Sequence, residues 1–372
     1  MKIRSIVASV AALAVASSLA ACGAPTKSTS DNTSGGVNWS TVTSASAAGG
    51  VDALYAEAKS EGQLNVIALP HTWTNYGKII DAFKAKYPGI TVNEANPDGS
   101  SQDEINAITG AADPATAPDV VDVGEAVAYA NGSVFAPYQV STWADIPDSL
   151  KESSGLFYND YAGHMVIGYD SSKVTIGSLD DLLKKGVKFG MSGSPSEGAA
   201  EGENGAIFAS LIKGGSVTSL QPGIDFFKSA VKAGTYYKDK VTQDVLAAGD
   251  VNAMLGWDYN QAAITAVNPN WKIYVDPTVS LAGPYYQAIS KTAPNPAAAR
   301  LWEEFIYSDD AQNLYYTGGG YPARGAAMAT AGTLATGAPI PAVPSGATVT
   351  VPTPDQLTQD ADAFTNWDSE IR

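Results

Sequence analysis

The chain has 372 residues, 45% of them hydrophobic and 16% charged: enough apolar material for two domains with substantial cores, and the composition of a folded chain rather than a disordered one. Its formal net charge of −16 comes with no basic stripe to neutralise phosphates, which excludes nucleic acid as a partner. A single cysteine, Cys22, excludes an intramolecular disulfide.

The N-terminus reads as a targeting signal. Lys2 and Arg4 precede an apolar run over 6–16 that is too short and wrongly flanked for a membrane span. Leu19-Ala20-Ala21-Cys22 resembles the bacterial lipobox, whose cysteine is lipidated and becomes the first residue of the mature chain. Residues 1–21 are then a lipoprotein signal peptide. Residues 22–50, the lipidated cysteine and a Ser-, Thr-, Gly- and Ala-rich run, read as anchor and flexible tether. An extracytoplasmic protein, lipid-anchored to the cell membrane, is expected.

The body begins with a helix pattern at Val51, Leu54, Tyr55 and Ala58, closed by Gly62. A strand-like run follows over 64–69. After Pro70-His71-Thr72-Trp73-Thr74-Asn75-Tyr76, a helix carries Ile79, Ile80, Phe83 and Tyr87 on one face and stops at Pro88-Gly89. A strand over 90–95 leads to Ser101-Gln102-Asp103-Glu104, which has the capping-box pattern at the head of a helix. A third strand is predicted over 118–123.

A second series runs from a strand over 164–170 through a helix start at 178–183, a strand over 187–191 and a helix over 223–234. Strands over 251–258, 271–276 and 285–290 precede a long helix over 294–308 with Leu301, Phe305 and Ile306 as its buried stripe. Residues 330–353 look irregular, and 354–371 read as a short helix. Alternating strands and helices predict α/β units, whose ligands bind beyond the carboxyl ends of strands. The segments 70–76, 122–126, 190–198 and 256–261 all sit at such ends.

This order of elements resembles the extracellular solute-binding proteins of ATP-binding-cassette importers over roughly 52–330. The likeness is carried by "LYAEAKSEGQLNVIA", "FKAKYPGITV", "APDVVDV", "GYDSSKV" and, most specifically, "NPAAARLWEEFIYSDDAQNLYYTGGGYPAR" at 295–324. It implies an α/β, two-lobed, periplasmic-binding-protein-like fold of type II, with hinge strands and a ligand cleft between lobes. On that frame lobe 1 takes 51–160 plus 290–372 and lobe 2 takes 161–289. The implied function is capture of a small polar solute and its delivery to permease subunits in the membrane, by a monomer with no cofactor and no chemistry.

Two subgroups share residues with this chain. Polyamine-binding members carry an Asn-Trp-Thr-x-Tyr run after the first strand, and Trp73-Thr74-Asn75-Tyr76 matches most of it; Trp257 resembles their late Trp. Aromatic faces hold methylene chains and cations, and Asp258 and Glu125 are placed to supply carboxylates for ammonium ends. The departure is at Tyr285, Tyr286 and Gln287, where the polyamine pattern has an Asp. Ferric-binding members carry a His where His71 stands and adjacent tyrosines where this chain reads Asp258-Tyr259.

Each of these residues also has a purely structural reading. His71 is a ligand contact or a turn histidine bonded to backbone. Trp73 falls before its helix and so is the better cleft residue, whereas Tyr76 shares the apolar spacing of Ile79, Ile80 and Phe83. Strand alternation leaves one of Trp257 and Asp258 facing a cleft, and Asp258 is a ligand group or a helix cap. Gly99-Ser100-Ser101 and Ser192-Gly193-Ser194 would hold an anion such as a phosphonate if they are more than caps and loops. A secreted hydrolase lacks Gly-x-Ser-x-Gly, His-Glu-x-x-His or a catalytic cysteine; a surface adhesin would bind no small solute.

Overall fold

The computed structural model describes residues 33–34, 36–359 and 361–372; the signal peptide and Cys22 lie outside the described residues. Two short strands, β1 (Thr33–Ser34) and β2 (Val37–Asn38), pair in antiparallel fashion. Residues 39–48, expected in the tether, belong to the folded body. Trp39, Val42, Ala45 and Ala48 are buried. Arg300 donates from Nε to the Val42 carbonyl at 2.6 Å and from Nη2 to the Ser40 carbonyl at 2.9 Å. Four apolar side chains scattered through a Ser/Thr-rich run suffice to seat it, which its composition conceals.

Helix α1 (Val51–Glu61) buries Leu54 and Ala58 and ends at Gly62, whose φ of 79° is the left-handed cap conformation that glycine adopts without steric cost. Strand–helix alternation then proceeds through β3 (Gln63–Ile67), α2 (Tyr76–Lys86), β4 (Thr91–Ala95), α3 (Ser101–Thr109), β5 (Val120–Gly124), α4 (Glu125–Ala130) and β6 (Phe135–Ala136). The capping box of α3 is one residue earlier than the sequence suggested. The Ser100 hydroxyl accepts from the Asp103 amide, and the Asp103 carboxylate accepts from the Ser100 amide.

Strand β7 (Tyr158–Asp170) leads into β8 (Phe189–Gly190), α5 (Ala200–Ile212), α6 (Gln221–Ala233), α7 (Gln243–Ala248), β9 (Ala253–Trp257), α8 (Asp258–Val267) and β10 (Trp271–Tyr274). The chain returns along β11 (Val279–Ser290) to α9 (Pro296–Ile306), α10 (Asp309–Thr317), β12 (Tyr321–Pro322) and α11 (Gly325–Ala331). It closes with β13 (Thr348–Thr350), α12 (Pro354–Gln359), α13 (Ala361–Thr365) and α14 (Trp367–Glu370).

The long strands β7 and β11 create the two lobes. They pair antiparallel where Gly163 and Gly283 are Cα partners. On one side of that crossing β11 pairs with β5, Tyr285 opposite Gly124 and Ile289 opposite Val120, and the sheet packs against the helices of lobe 1. On the other side β7 pairs with β9 and β10, Met165 opposite Trp257 and Ile167 opposite Tyr274, inside lobe 2. Small residues are required at the crossing. A Cβ on Gly283 would lie 2.1 Å from the Trp257 ring, and one on Gly163 would lie 2.4 Å from the Tyr259 ring. The pairing puts residues 285–289 in the lobe 1 sheet, ahead of the boundary expected at 290.

The C-terminal helices also depart from expectation. Chain order places them in lobe 1. Instead Phe364, Trp367 and Ile371, an apolar stripe at helical spacing, are buried on lobe 2. The Trp367 ring centroid lies 5.0 Å from that of Phe227 in α6.

Candidate ligand-binding cleft

The loop between β3 and α2 sets one wall of the cleft. Ala68, Thr74 and Asn75 have φ of 55°, 41° and 67°, left-handed conformations that cost roughly 1–2 kcal/mol each outside glycine. Packing holds them there. Thr74 is fully buried. A Cβ on Gly318 would lie only 2.5 Å from the Thr74 carbonyl carbon. Asn75 Nδ2 donates to the Leu314 carbonyl at 2.9 Å. The sharp turn that results sends Trp73 toward the cleft and Tyr76 into lobe 1.

A cavity of about 360 Å³ lies between the lobes. Lobe 1 contributes Pro70, Trp73, the 98–104 segment and Asp122; lobe 2 contributes Ser192, Gly193, Glu197, Glu201, Lys240 and Asn260; Tyr285 lines it from β11. Its lining is acidic: Asp98, Asp103, Glu104, Asp122, Glu197 and Glu201 against one base, Lys240. The Lys240 ammonium is already bonded to the Asp98 carbonyl across the mouth.

Asp122, the central residue of β5, is the most constrained of these groups. Its Oδ2 accepts from Tyr76 Oη at 2.7 Å and Tyr161 Oη at 3.3 Å. Behind it Asp160 Oδ2 accepts from Tyr315 Oη at 2.9 Å and from Gln287 Nε2 at 3.1 Å. Burial pushes the Asp122 carboxyl up to about 7, against the lowering effect of its two tyrosine bonds. Burial, and next the neighbouring Asp122 charge, hold Asp160 well above the usual carboxylate range. Asp122 Oδ1 is buried and without a hydrogen-bond partner. Two carboxyls desolvated together with no cation beside them favour a proton or a positively charged N–H donor at that open oxygen.

Two further carboxylates, Glu104 and Glu201, are buried and hydrogen-bonded in the same way. Glu104 Oε2 accepts the Asp122 amide at 2.8 Å, and burial raises its pKa. Glu201, in the first turn of α5, accepts from Asn260 Nδ2 at 2.9 Å. Burial pushes it up to about 7, with hydrogen bonds from Ser192 and Asn260 opposing.

Of the residues singled out from sequence, Trp73 and Tyr285 line this cavity. Their rings stand edge to face at 6.2 Å, and Tyr285 stacks on Tyr161 at 5.4 Å. The others are placed elsewhere. Tyr76 is fully buried behind Asp122. Tyr259 is fully buried between Trp73, Tyr161 and Trp257, with centroids at 5.9, 5.5 and 6.3 Å. Trp257 fills the space over Gly283. Asp258 Oδ1 accepts from the amides of His164 at 3.1 Å and Tyr259 at 2.9 Å, so it ties the start of α8 to β7. His71 is exposed and bonded through Nε2 to Glu94, away from the cavity that its neighbours Pro70 and Thr72 line. Glu125 accepts from Tyr286 Oη at 3.3 Å and lies at the seam between the lobes. Neither Trp257 nor Asp258 faces the cleft, where alternation predicts that one would: β9 is buried on both faces, so strand alternation does not select an outward residue.

Sequence reasoning passed over Asp122, Glu104, Glu201 and Asn260. Asp122 carried a signal, the second of two carboxylates inside the otherwise apolar run "PDVVDV". Glu104 was hidden in a capping motif, and Glu201 in a Gly/Ala-rich stretch. Gly99, Ser100, Ser101, Ser192 and Gly193 do line the cavity. The first turn of α3 already carries Asp103 and Glu104, and that of α5 carries Glu201, so neither terminus is free to attract an anion. Among the described residues no three His, Cys, Asp or Glu side chains cluster as a metal site, and no helix is long and apolar enough to cross a membrane.

Residues 78–342 match the family model of bacterial extracellular solute-binding proteins. No curated protein matches the chain by sequence. Among solved structures, the periplasmic binding protein P5PA superposes with a TM-score of 0.66 at 16% identity, over 84% of this chain and 100% of its own. A periplasmic thiamin binding protein gives 0.60 at 14% identity, over 83% of this chain and 96% of its own. Iron-bound HitA from Pseudomonas aeruginosa gives 0.59 at 20% identity, over 83% and 99%. At these identities the likeness establishes the fold.

Proposed function

The chain belongs to the bacterial extracellular solute-binding proteins, and we propose that within an ATP-binding-cassette importer it captures a small organic cation, polyamine-like in having N–H donors joined by methylenes. The observation that carries this reading is the cavity lining: six carboxylates, one already-bonded lysine, and the buried, partnerless Oδ1 of Asp122. Trp73 and Tyr285 supply the aromatic faces that methylenes and cations favour. The solute touches both lobes, so it favours the closed arrangement by its differential affinity, and closure presents the loaded form to the permease. Anchoring by a lipid on Cys22 and action as a monomer complete the proposal.

A thermal-shift panel with putrescine, spermidine, thiamin, ferric citrate and sulfate tests it. A ligand at a hundredfold excess over Kd stabilises by about 2.7 kcal/mol. Amines are expected to stabilise the protein, Asp122→Asn to lose that response while still melting cooperatively, and Trp73→Ala to weaken it. Stabilisation by sulfate or ferric citrate with no response to amines would overturn the cationic reading. Turnover of a supplied ester or peptide would instead point to the hydrolase.

A further inference from the structure

The family match ends at residue 342, and the C-terminal segment beyond it is built across both lobes. Strand β13 joins β11 in parallel, Thr348 opposite Val279 and Thr350 opposite Leu281, beside the Gly163–Gly283 crossing. Next, α12 lies against α4 of lobe 1. A small cavity at the seam is lined by Glu125 and Val127 from lobe 1 and by Glu203 and Asn204 from lobe 2; Pro352 and Leu357 line it too. Then α13 and α14 cross to lobe 2 and pack on the tight turn Pro195–Glu197. Trp367 and Ile371 are 0% and 1% exposed there, and Ser196 Oγ donates to Asp368 Oδ2 at 3.3 Å.

We infer that residues 348–359 and 361–371 form a strap that holds the lobes together and biases the unliganded protein toward closure. The geometry leaves little alternative for its mechanical effect. Opening turns lobe 2 about β7 and β11, whereas the strap is seated on lobe 1 at α12 and on lobe 2 at Trp367, so wide opening must detach one end. Detaching Trp367 would expose a fully buried indole, which opposes that motion. The lobe 2 seat is also part of the ligand site, since Glu197, in the turn beneath α13 and α14, lines the cleft cavity. Strap and solute thus share one turn, and both favour the same arrangement of lobes.

The inference rests on the two-lobed cleft but not on the identity of the solute, and its test needs no ligand. The purified protein is compared with two variants by small-angle scattering and amide hydrogen exchange. In one, Gly-Ser-Gly-Ser is inserted after Gln359, which leaves the seats of Leu357 and Trp367 unchanged but lets α12 part from α13. The other is Trp367→Ala, which unseats the lobe 2 end and lowers Tm. Both are expected to enlarge the radius of gyration of the unliganded protein and to speed exchange at the facing termini of α4 and α5, the insertion doing so with little change in Tm. An unchanged radius of gyration in the insertion variant, or in Trp367→Ala with α13 and α14 released by exchange, overturns the strap. A binding panel that fails for amines while the insertion still opens the lobes would reject the cation and leave the strap standing.

Discussion

Gly124 and Ala200 meet across the cleft: a Cβ built on Gly124, at the end of β5, would lie 2.6 Å from the Ala200 Cβ at the head of α5. Real Cβ atoms do not approach so closely, so the missing side chain at residue 124 sets how far the lobes can close. The backbone itself does not demand glycine there, because its φ of −62° and ψ of 157° suit any residue. Gly124→Ala is therefore a steric wedge alone. It is expected to leave folding intact, to prop the lobes apart in solution scattering, and to weaken binding of the stabilising amine by about tenfold, the factor 1.4 kcal/mol gives. Unchanged affinity and unchanged scattering would show that lobe 2 can slip past the added methyl group.

Tyr259 and Tyr76 make a contrasting pair. The Tyr259 hydroxyl is buried without a partner, whereas the Tyr76 hydroxyl is the 2.7 Å donor to Asp122. Removing an unpaired hydroxyl is neutral or stabilising, but removing one partner of a buried bond costs about 1–3 kcal/mol. Tyr259→Phe should melt no lower than the parent and bind equally well. Tyr76→Phe should lose stability in that range. A destabilised Tyr259→Phe with weakened binding would instead place that phenol at the ligand.

Arg300 is buried in α9 and bonded only to carbonyls, those of Ser40, Val42 and Pro296. Burial pulls its pKa down to about 10. A lysine is a point charge and cannot span three carbonyls with a planar fork. Arg300→Lys is expected to lose about 2–4 kcal/mol of stability, since bonds to charged groups are strong and their buried partners are left unmet. Limited proteolysis should then cut first within 36–50. A loss below about 1 kcal/mol would mean that Trp39 and Val42 seat the segment unaided.

Much of the fold is written in local pattern, and most of the cleft is not. Gly62 closes α1, and the stripe of α9 packs as spacing predicts, because caps and helical periodicity act within one turn. Sequence pattern predicts only the second half of β7. Asn159 and Asp160 look unsuited to a buried strand until the Tyr161 and Tyr285 carbonyls accept from the one and Tyr315 and Gln287 donate to the other. Those partners are distant in sequence and meet only in the fold. The same holds for the site: Trp73 announces itself by its loop, while Asp122 and Glu201 become acidic neighbours of one cavity only when two lobes close.

The buried carboxyls make stability depend on pH with a definite sign. Burial raises Glu61, Asp122, Glu125, Glu201 and Asp258 to about 7, and Asp119 and Glu303 to about 8. A carboxyl whose folded pKa exceeds its unfolded value near 4 favours the fold when protonated. Its stabilisation is whole below the unfolded value and is lost as pH rises through 7 to 8. His164 opposes this at the acid end: burial lowers it to about 4, so the stability it supports is lost as pH falls from its ordinary 6.5 toward 4. Burial raises Glu203 to about 8 as well, and Glu104 and Asp160 well above the carboxylate range; one histidine stands against all of these, so the unliganded protein should melt higher at pH 6 than at pH 8. A tenfold difference in a carboxyl's proton affinity between folded and unfolded chains is worth about 1.4 kcal/mol before solvent screening. A bound cation reverses the slope at the cleft, because it needs Asp122 and Glu201 ionised. The Tm gain from spermidine should therefore grow from pH 6 to pH 8 while the unliganded Tm falls. An unliganded Tm that rises with pH would mean that these carboxyls are already ionised in the fold. A spermidine gain that shrinks with pH would remove Asp122 from the ammonium site.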